Sequence, residues 1–437
     1  MEQTRKISLT MKVVIGMILG ITVGLVINLT GMNADGSFIN TYIVNGGFHV
    51  VGKMFINALK MLVVPLVFFS LICGVSGIGN IKTLGRVGSK SFGLYMLTTA
   101  IAIAMAITLA VATGIGEGMN LQTSSQFIGA VAPPLTEVLI GIIPANPVKA
   151  MANGDMLPLI FYSILVGVSL LMVGTKAKRL IDAVEVANEM MMKMVSIIMS
   201  VAPYAVFALI AKAMAQLGLD LLSQLAGYVL VLVSALMLHL FVTLMIVLKV
   251  FSGLSPTIFL KKIRNAQVFA FSTSSSNATI PVTLRTVIER MGVNNSIASF
   301  TVPFGATINM DGTAIMQGVA TVFIANIYGV DLGLTGYLIV ILMSVLASIG
   351  TAGVPGVGMI MLSMVFAQVG LPIEGIGLII GVDRLMDMIR TAVNVSGDAV
   401  VSTIVAKSEG KLDLCAYQDP DAGAINVDSG LHIDETV

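Results

Sequence analysis

Residues 383–398 read DRLMDMIRTAVNVSGD and carry Asp383, Arg384, Asp387, Arg390, Asn394 and Asp398 between the apolar flanks LIIGV and AVVSTIVA. On a helix, positions 383, 387, 390, 391, 394 and 398 advance by three or four residues and share one face, with Arg384 off it. Asp387 and Arg390 stand one helical turn apart, an arrangement that can receive a zwitterion. Arg390 offers a planar fork to a carboxylate, and Asp387 accepts hydrogen bonds from an ammonium. The competing reading is a set of internal ion pairs joining two helices. Against it stands the cost of several kcal/mol for each buried ion, even when paired.

A second constellation is ATINMDGTA, where Asn309 and Asp311 interrupt an apolar run. Carboxylate and amide oxygens suit a hard cation, and Gly312 lets the helix unwind and present carbonyls. Asn394 and Asp398 can face the same place. Cys73 and Cys415 are the only cysteines, and His49, His239 and His432 stand apart from one another. With no thiolate or imidazole cluster on offer, sodium fits better than zinc or another soft metal. No nucleophile–base pair or redox motif is visible, so the chain does not read as an enzyme.

These side chains need apolar elements to hold them. Of the 437 residues 56% are hydrophobic and 11% charged, with mean hydropathy +0.97. A soluble domain carries roughly 25% charged residues, so the class is an all-α polytopic membrane protein. The net charge of +1 gives no basis for nucleic acid as a partner. MEQTRKISLTMK followed by VVIGMILGITVGLVI reads as a first span rather than a cleaved signal, because no small-residue cleavage motif follows. Spanning stretches fall near 12–30, 43–76, 88–115, 155–174, 190–215, 224–250, 295–328 and 374–406, while 117–155 has APP and NP breaks that suggest broken helical pieces.

Lysine and arginine concentrate in alternate loops: Arg5, Lys6 and Lys12; Lys82, Arg86 and Lys90; Lys176, Lys178 and Arg179; Lys261, Lys262 and Arg264. The loops NLTGMNADGS, QLGLD and YGVDLG carry none. The asymmetry predicts eight crossings with both termini cytoplasmic. The acidic, glycine-containing segment 418–437 is expected to be disordered.

Two segments fit no simple crossing: FSTSSSNATIP (271–281) and LASIGTAGVPG (346–356). Their apolar arms, about a dozen residues each, are too short to span at 1.5 Å per residue, which suits re-entrant helical hairpins. At an offset of 74, Ser274 aligns with Ser348, Ala278 with Ala352, Pro281 with Pro355 and Asn309 with Asp383. By the loop charges the first hairpin enters from the cytoplasm and the second from outside. An inverted repeat with broken backbone at mid-membrane is the layout of secondary transporters, and such backbone survives only where it lines a cavity or is buried in protein.

Other features read blandly. The 29 methionines are packing and lipid-facing filler. His239, alone in an apolar run, is a satisfied or lipid-edge residue rather than a proton relay. Glu185 and Glu189 belong to a solvated cytoplasmic face, and Tyr42, Tyr162, Tyr228, Tyr328 and Tyr337 are interface anchors.

STSSSNATIP, GATINMDGTA, SIGTAGVPGVG and DMIRTAVNVSGD together resemble the dicarboxylate/amino acid:cation symporters, the excitatory amino acid transporter family. The resemblance runs from about residue 10 to 412. It implies eight transmembrane helices plus two hairpins, a homotrimer and elevator-type movement. The scaffold would comprise 1–80 (spans one and two) and 117–220 (spans four and five, with trimerisation). The transport domain would comprise 81–116 (span three) and 221–417. The substrate's side-chain carboxylate would meet Arg390 and its amino group Asp387. Thr313, Thr391, Asn394 and Ser276 would also touch it, with backbone from Ser274, Val354 and Gly358.

The same resemblance implies three sodium sites. The first uses Asp398, Asn394, Asn309 and the Gly305 carbonyl. The second uses Thr307 with carbonyls of Ser348, Ile349 and Thr351. The third uses Tyr95, Thr98, Thr99, Asn309 and Asp311. Every position holds the residue type its site requires.

Departures from the family pattern are specific. Gln317 stands where potassium-coupled animal members carry a proton-binding glutamate. Ser274 replaces an arginine of archaeal members, and Met388 an arginine that animal members place in span eight. Proton-coupled bacterial members read SFNLDG and have Asn at the position of Asp398; here the motif is TINMDG and the aspartate is kept. The expectation is a sodium-coupled symporter of aspartate or glutamate in the plasma (bacterial inner) membrane. The alternatives are a neutral amino acid or dicarboxylate carrier, or proton coupling, on the same fold. Arg390 argues against a neutral substrate and Asp387 against a ligand without ammonium. A channel or membrane scaffold, the reading from another class, has no need of an inverted repeat with gating hairpins.

Overall fold

Long apolar runs with few charges leave the backbone one stable arrangement in hydrocarbon, the hydrogen-bonded helix. The computed structural model describes residues 9–419 and 422, apart from 35, 77–83, 119–139, 350, 352 and 354. Among the described residues the chain is nearly all helical, and the pairing of Val293 with Leu412 is an isolated bridge. The principal helices are α1 (Leu9–Leu29), α2 (His49–Ser76), α3 (Ser89–Thr113), α4 (Met156–Val173), α5 (Lys178–Ser200), α6 (Ala202–Leu217), α7 (Leu219–Leu238) and α8 (Leu244–Ser252). They continue as α9 (Pro256–Thr273), α10 (Ser276–Arg285), α11 (Asn295–Ile308), α12 (Asp311–Ile327), α13 (Gly333–Ser348), α14 (Val357–Gln368), α15 (Ile376–Ser408) and α16 (Leu414–Gln418).

Among the described residues four stretches are long and apolar enough to cross a membrane: Met11–Leu29, Ile39–Cys73, Arg86–Thr113 and Ser223–Ser252. A fifth is added if Phe161–Ile198 and Ala202–Gln216, bent by 51°, form one span. Apolar side chains such as Ile18, Leu19, Met54, Leu230, Ile246 and Val250 face outward, as lipid requires. The chain is a multi-pass membrane protein.

The helices pack in two groups, joined where α15 also lies on α1 and α6. α1 lies along α6, and α2 packs on α4, α5 and α6. In the second group α3 lies on α12 and α13, while α9, α11 and α12 all pack on α15. The first group rests on close backbone approach. Gly16, Gly20 and Gly24 recur every fourth residue on α1, and a Cβ there would fall 2.5 Å from the Pro203 carbonyl oxygen, 2.8 Å from that of Phe207 and 2.4 Å from that of Ala211. Small residues at this spacing let helices meet backbone to backbone in lipid. Gly20→Leu is therefore expected to push α1 off α6 and destabilise the fold by about 1–3 kcal/mol, the range for overpacking. An unchanged melting temperature of the purified variant in detergent would show that this contact is dispensable.

Several expectations change. The stretch 190–215 is not one helix: α5 ends at Ser200 and α6 starts at Ala202. Pro203, in the first turn of α6, cannot donate to the preceding turn, so the helix breaks there. Tyr228 is no interface anchor; it is buried, its ring 5.1 Å from that of Phe323. Gln418 closes α16 instead of opening a disordered tail. The rest of that tail, most of 117–155, and Arg5, Lys6, Lys82, Ala352 and Val354 lie outside the described residues. Glu185 and Glu189 are exposed, as expected of a solvated face.

Charged side chains near the helix ends tie the second group together. Glu409, just after α15, pairs with Lys90 at 2.6 Å, in the first turn of α3, and with Arg86 in the π-helical turn before it. The hydrogen bond from Lys90, then that from Arg86, hold its carboxyl below the ordinary value. Lys262 donates to the carbonyls of Arg290 and Ala416 (the latter at 2.6 Å), joining α9 to the base of α10 and to α16.

Candidate functional site

Arg390 lies at the middle of α15, fully buried. Its Nη2 is 2.9 Å from Asp387 Oδ1 and 2.9 Å from Asp383 Oδ1. Asp387 Oδ2 accepts from the Gly356 N–H at 3.3 Å and has Arg384 Nη1 at 3.8 Å, so Arg384 bends back to the stripe instead of pointing away. Nε and Nη1 of Arg390 have no hydrogen-bond partner among the described residues. Buried polar groups are nearly always satisfied, so two bare guanidinium nitrogens mark a place for an acceptor. Gly358 makes that place: a Cβ there would sit 3.1 Å from Nη1 and 3.3 Å from Thr313 Cγ2. Thus Arg390, Thr313 and Gly358 converge. Internal pairing and an acceptor site coexist, the first on Nη2 and the second on Nε and Nη1. Thr391 donates to the Asp387 carbonyl at 2.7 Å, one turn back on its own helix.

The turn between α9 and α10 meets the segment that follows α13 at Gly353. Ser275 caps α10 by accepting from the Ala278 N–H at 3.2 Å, and its hydroxyl donates to the Gly353 carbonyl at 2.7 Å. The Asn277 N–H donates to the same carbonyl at 3.1 Å. Ser276 Cβ would be 3.0 Å from a Cβ on Gly353. Ser274 has φ 51°, the left-handed region, and is the one non-glycine with positive φ among the described residues. Such a conformation costs roughly 1–2 kcal/mol for an L residue. Val354, the remaining expected contact, lies outside the described residues.

The backbone break at Asn309 and Met310, between α11 and α12, gathers the expected cation ligands. Asn309 Nδ2 donates to Asp398 Oδ1 at 2.9 Å and to the Asn394 carbonyl at 3.2 Å, while its Oδ1 has no partner among the described residues. Gly305 lies against Asp398: a Cβ there would be 2.5 Å from Oδ1 and 2.6 Å from the Tyr95 hydroxyl. Asn394 Oδ1 accepts from the Gly312 N–H at 2.7 Å. A few ångströms away Asp311 Oδ1 accepts from Thr99 at 2.6 Å and Thr98 at 3.3 Å, and the Tyr95 hydroxyl donates to the Thr301 carbonyl at 3.0 Å. Asn309, Asp311, Tyr95, Thr98 and Thr99 are all buried. The first and third expected ligand sets are therefore brought together. Of the second set, the Thr307 hydroxyl donates to the Phe304 carbonyl at 2.9 Å and the Ser348 carbonyl accepts from the Thr351 N–H at 3.4 Å; Ile349 follows the end of α13.

Three members of this cluster make contacts that spacing does not announce. Asp383 pairs with Arg390. Met310 Sδ accepts from Asn394 Nδ2 at 3.3 Å, so this methionine is not mere filler. Of its two expected settings His239 takes the satisfied one and not the lipid edge: it is buried with Nε2 3.0 Å from Asp311 Oδ2. Its signal was present, a lone ionisable side chain inside an apolar span.

Taken with the all-helical membrane architecture, a broken helix bearing buried amides and carboxylates beside an arginine defines a solute carrier of the cation-coupled class. The chain belongs to the sodium:dicarboxylate symporter family, which it matches over residues 9–408. It is 35% identical over 423 residues to the proton/glutamate-aspartate symporter of Escherichia coli (strain K12), covering 93% of this chain and 94% of the relative. It is 33% identical to the proton/sodium-glutamate symport protein of Geobacillus stearothermophilus (93% and 96% covered). Identity is likewise 33% to the C4-dicarboxylate transport protein of Bacillus subtilis (strain 168), with 93% and 94% covered. The chain is a symporter and not an enzyme.

Proposed function

We propose that the chain couples an inward sodium gradient to uptake of L-aspartate or L-glutamate. The observation that carries this reading is the pairing of one buried arginine, with two unpartnered nitrogens, and a buried cluster of two carboxylates and two amides one helical turn away. Arg390 would take the substrate's side-chain carboxylate. Asp387 would exchange part of its pairing with Arg390 for the substrate's ammonium. Sodium ions would be held by Asp398, Asn394, Asn309 and the Gly305 carbonyl, by Thr307 with Ser348, Ile349 and Thr351, and by Asp311 with Tyr95, Thr98, Thr99 and Asn309. Cation charge there offsets two carboxylates that hydrocarbon would otherwise penalise.

Movement in this proposal divides the chain into a scaffold of 1–80 and 117–220 and a mobile domain of 81–116 and 221–417. The two packing groups support that division, as do the Glu409 ties between α3 and α15. Homotrimeric assembly, elevator movement, eight crossings and cytoplasmic termini follow the family resemblance and the loop charges. A bacterial inner membrane is the setting this reading fits.

Gln317, buried in α12, cannot carry a proton as a glutamate would. Uptake into proteoliposomes is therefore expected to need an inward sodium gradient and no internal potassium. Vesicles loaded with choline should transport as fast as vesicles loaded with potassium. Uptake driven equally well by a proton gradient without sodium would replace this reading with proton coupling, the behaviour named for the Escherichia coli relative. Competition by succinate as strong as by aspartate would favour a plain dicarboxylate carrier.

A further inference from the structure

Asp311 is held at both carboxylate oxygens by chemically different groups. On one side Thr99 and Thr98 of α3 donate to Oδ1 at 2.6 and 3.3 Å. On the other, His239 Nε2 stands 3.0 Å from Oδ2. His239 is fully buried, and its Nδ1 has no hydrogen-bond partner among the described residues. The tautomer with its proton on Nε2 donates to Asp311 and leaves Nδ1 with only a lone pair, which matches both facts. The imidazole opens a π-helical turn, His239–Thr243, between α7 and α8. Single π turns shift the side-chain register of a helix and recur at functional sites.

The two sides differ in what they do when a cation arrives. A threonine hydroxyl is donor and acceptor, so Thr98 and Thr99 can turn their protons away and offer lone pairs beside Oδ1. An Nε2–H is a donor only; while it stays on Oδ2, that oxygen is turned away from the ion. We propose that His239 is a positioning residue that keeps Asp311 a one-oxygen ligand, with Oδ1 facing the cation among the threonine hydroxyls and Oδ2 locked behind it. One carboxylate oxygen gives a smaller ligand set than two, which favours a small ion such as sodium or lithium over potassium. This inference rests on the proposed role of Asp311 as a cation ligand.

The test uses the full-length purified protein, with thermal shift titrated by sodium, lithium or potassium in the absence of amino acid. Partners that orient a metal ligand typically contribute 10–100-fold in metal affinity. His239→Leu and His239→Met, which lack the donor, are expected to weaken sodium binding by about tenfold or more and to narrow the sodium-to-potassium ratio. His239→Gln, whose side-chain amide N–H reaches a similar place, should restore most of both. Donorless variants with parental sodium affinity and ion ratio overturn the proposal, as does a lower melting temperature with an unchanged ratio. If neither donorless variant folds, a folded His239→Gln that loses the ratio overturns it as well. Asp311→Asn is titrated in parallel. Parental sodium affinity in that variant removes the cation-site reading itself, whereas its loss alongside parental His239 variants removes only the role of His239.

Discussion

Arg390→Thr abolishes saturable uptake of acidic amino acids, with a loss of order a thousandfold in aspartate affinity. The guanidinium is fully buried and has two nitrogens without partners, so a substrate carboxylate arriving there would form charge-assisted bonds away from water. Breaking a buried, hydrogen-bonded charge pair by deleting one partner costs about 3–5 kcal/mol, which at 1.4 kcal/mol per decade gives the thousandfold figure. The same deletion strands Asp383 and Asp387, each 2.9 Å from Nη2 in the parent. A structural role for Arg390 would lose activity too, so the single variant does not decide. The double variant Arg390→Thr/Asp383→Asn removes one of the stranded charges. It should recover folding, judged by melting temperature and gel-filtration profile, without recovering aspartate binding. It should also gain weak binding of serine or alanine, whose side chains no longer meet a bare cation. Micromolar aspartate binding by a folded double variant would refute the substrate role of Arg390.

Periodicity and composition made the all-helical, multi-pass class legible in the sequence. The hydrophobic runs, the small-residue hairpin tips and the stripe from 383 to 398 fall on helices, turns and one buried helix face. Each of those features repeats a local physical rule: helix period, helix length, or the backbone freedom of small residues. What local rules leave open is contact between residues distant in sequence or set by side-chain direction. Tyr228 was read by its type, as an amphipathic ring for an interface, but α7 turns it against Phe323 of α12. His239 and Asp311 are 72 residues apart, and no local pattern announces their contact. Asp383 was visible on the stripe and even aligned with Asn309, yet its pairing with Arg390 depends on side-chain direction, which spacing alone leaves open. The glycines of α1 had the spacing of a close helix contact. Only the packing of α6 identifies the partner.

Asp398→Asn should weaken sodium dependence while leaving the fold in place. Asp398 is buried and accepts from Asn309 Nδ2 at 2.9 Å, with no basic side chain among the groups that touch it in the described structure. An amide of the same shape removes the charge and keeps the volume. The amide oxygen of the variant can still accept from Asn309 Nδ2, with its N–H₂ in the place of Oδ2. Melting temperature in sodium-free buffer should therefore change little, or rise, since an uncompensated buried carboxylate has gone. Binding should change far more. If sodium is the compensating charge, its affinity falls, and by reciprocity the aspartate affinity measured at a fixed sodium concentration falls with it. Coupling energies of about 1–3 kcal/mol, or roughly 5–150-fold, are usual for such linked sites. The diagnostic quantity is the ratio of aspartate Kd at low and high sodium, obtained by calorimetry on the purified protein. In the parent this ratio contains the contribution of every sodium ion that binds with substrate; the variant should lose the share of the ion at Asp398, and the ratio should shrink accordingly. A folded variant whose ratio equals the parent's would make Asp398 a packing residue and move the cation elsewhere, with Asp311 the remaining buried carboxylate beside the break at Asn309.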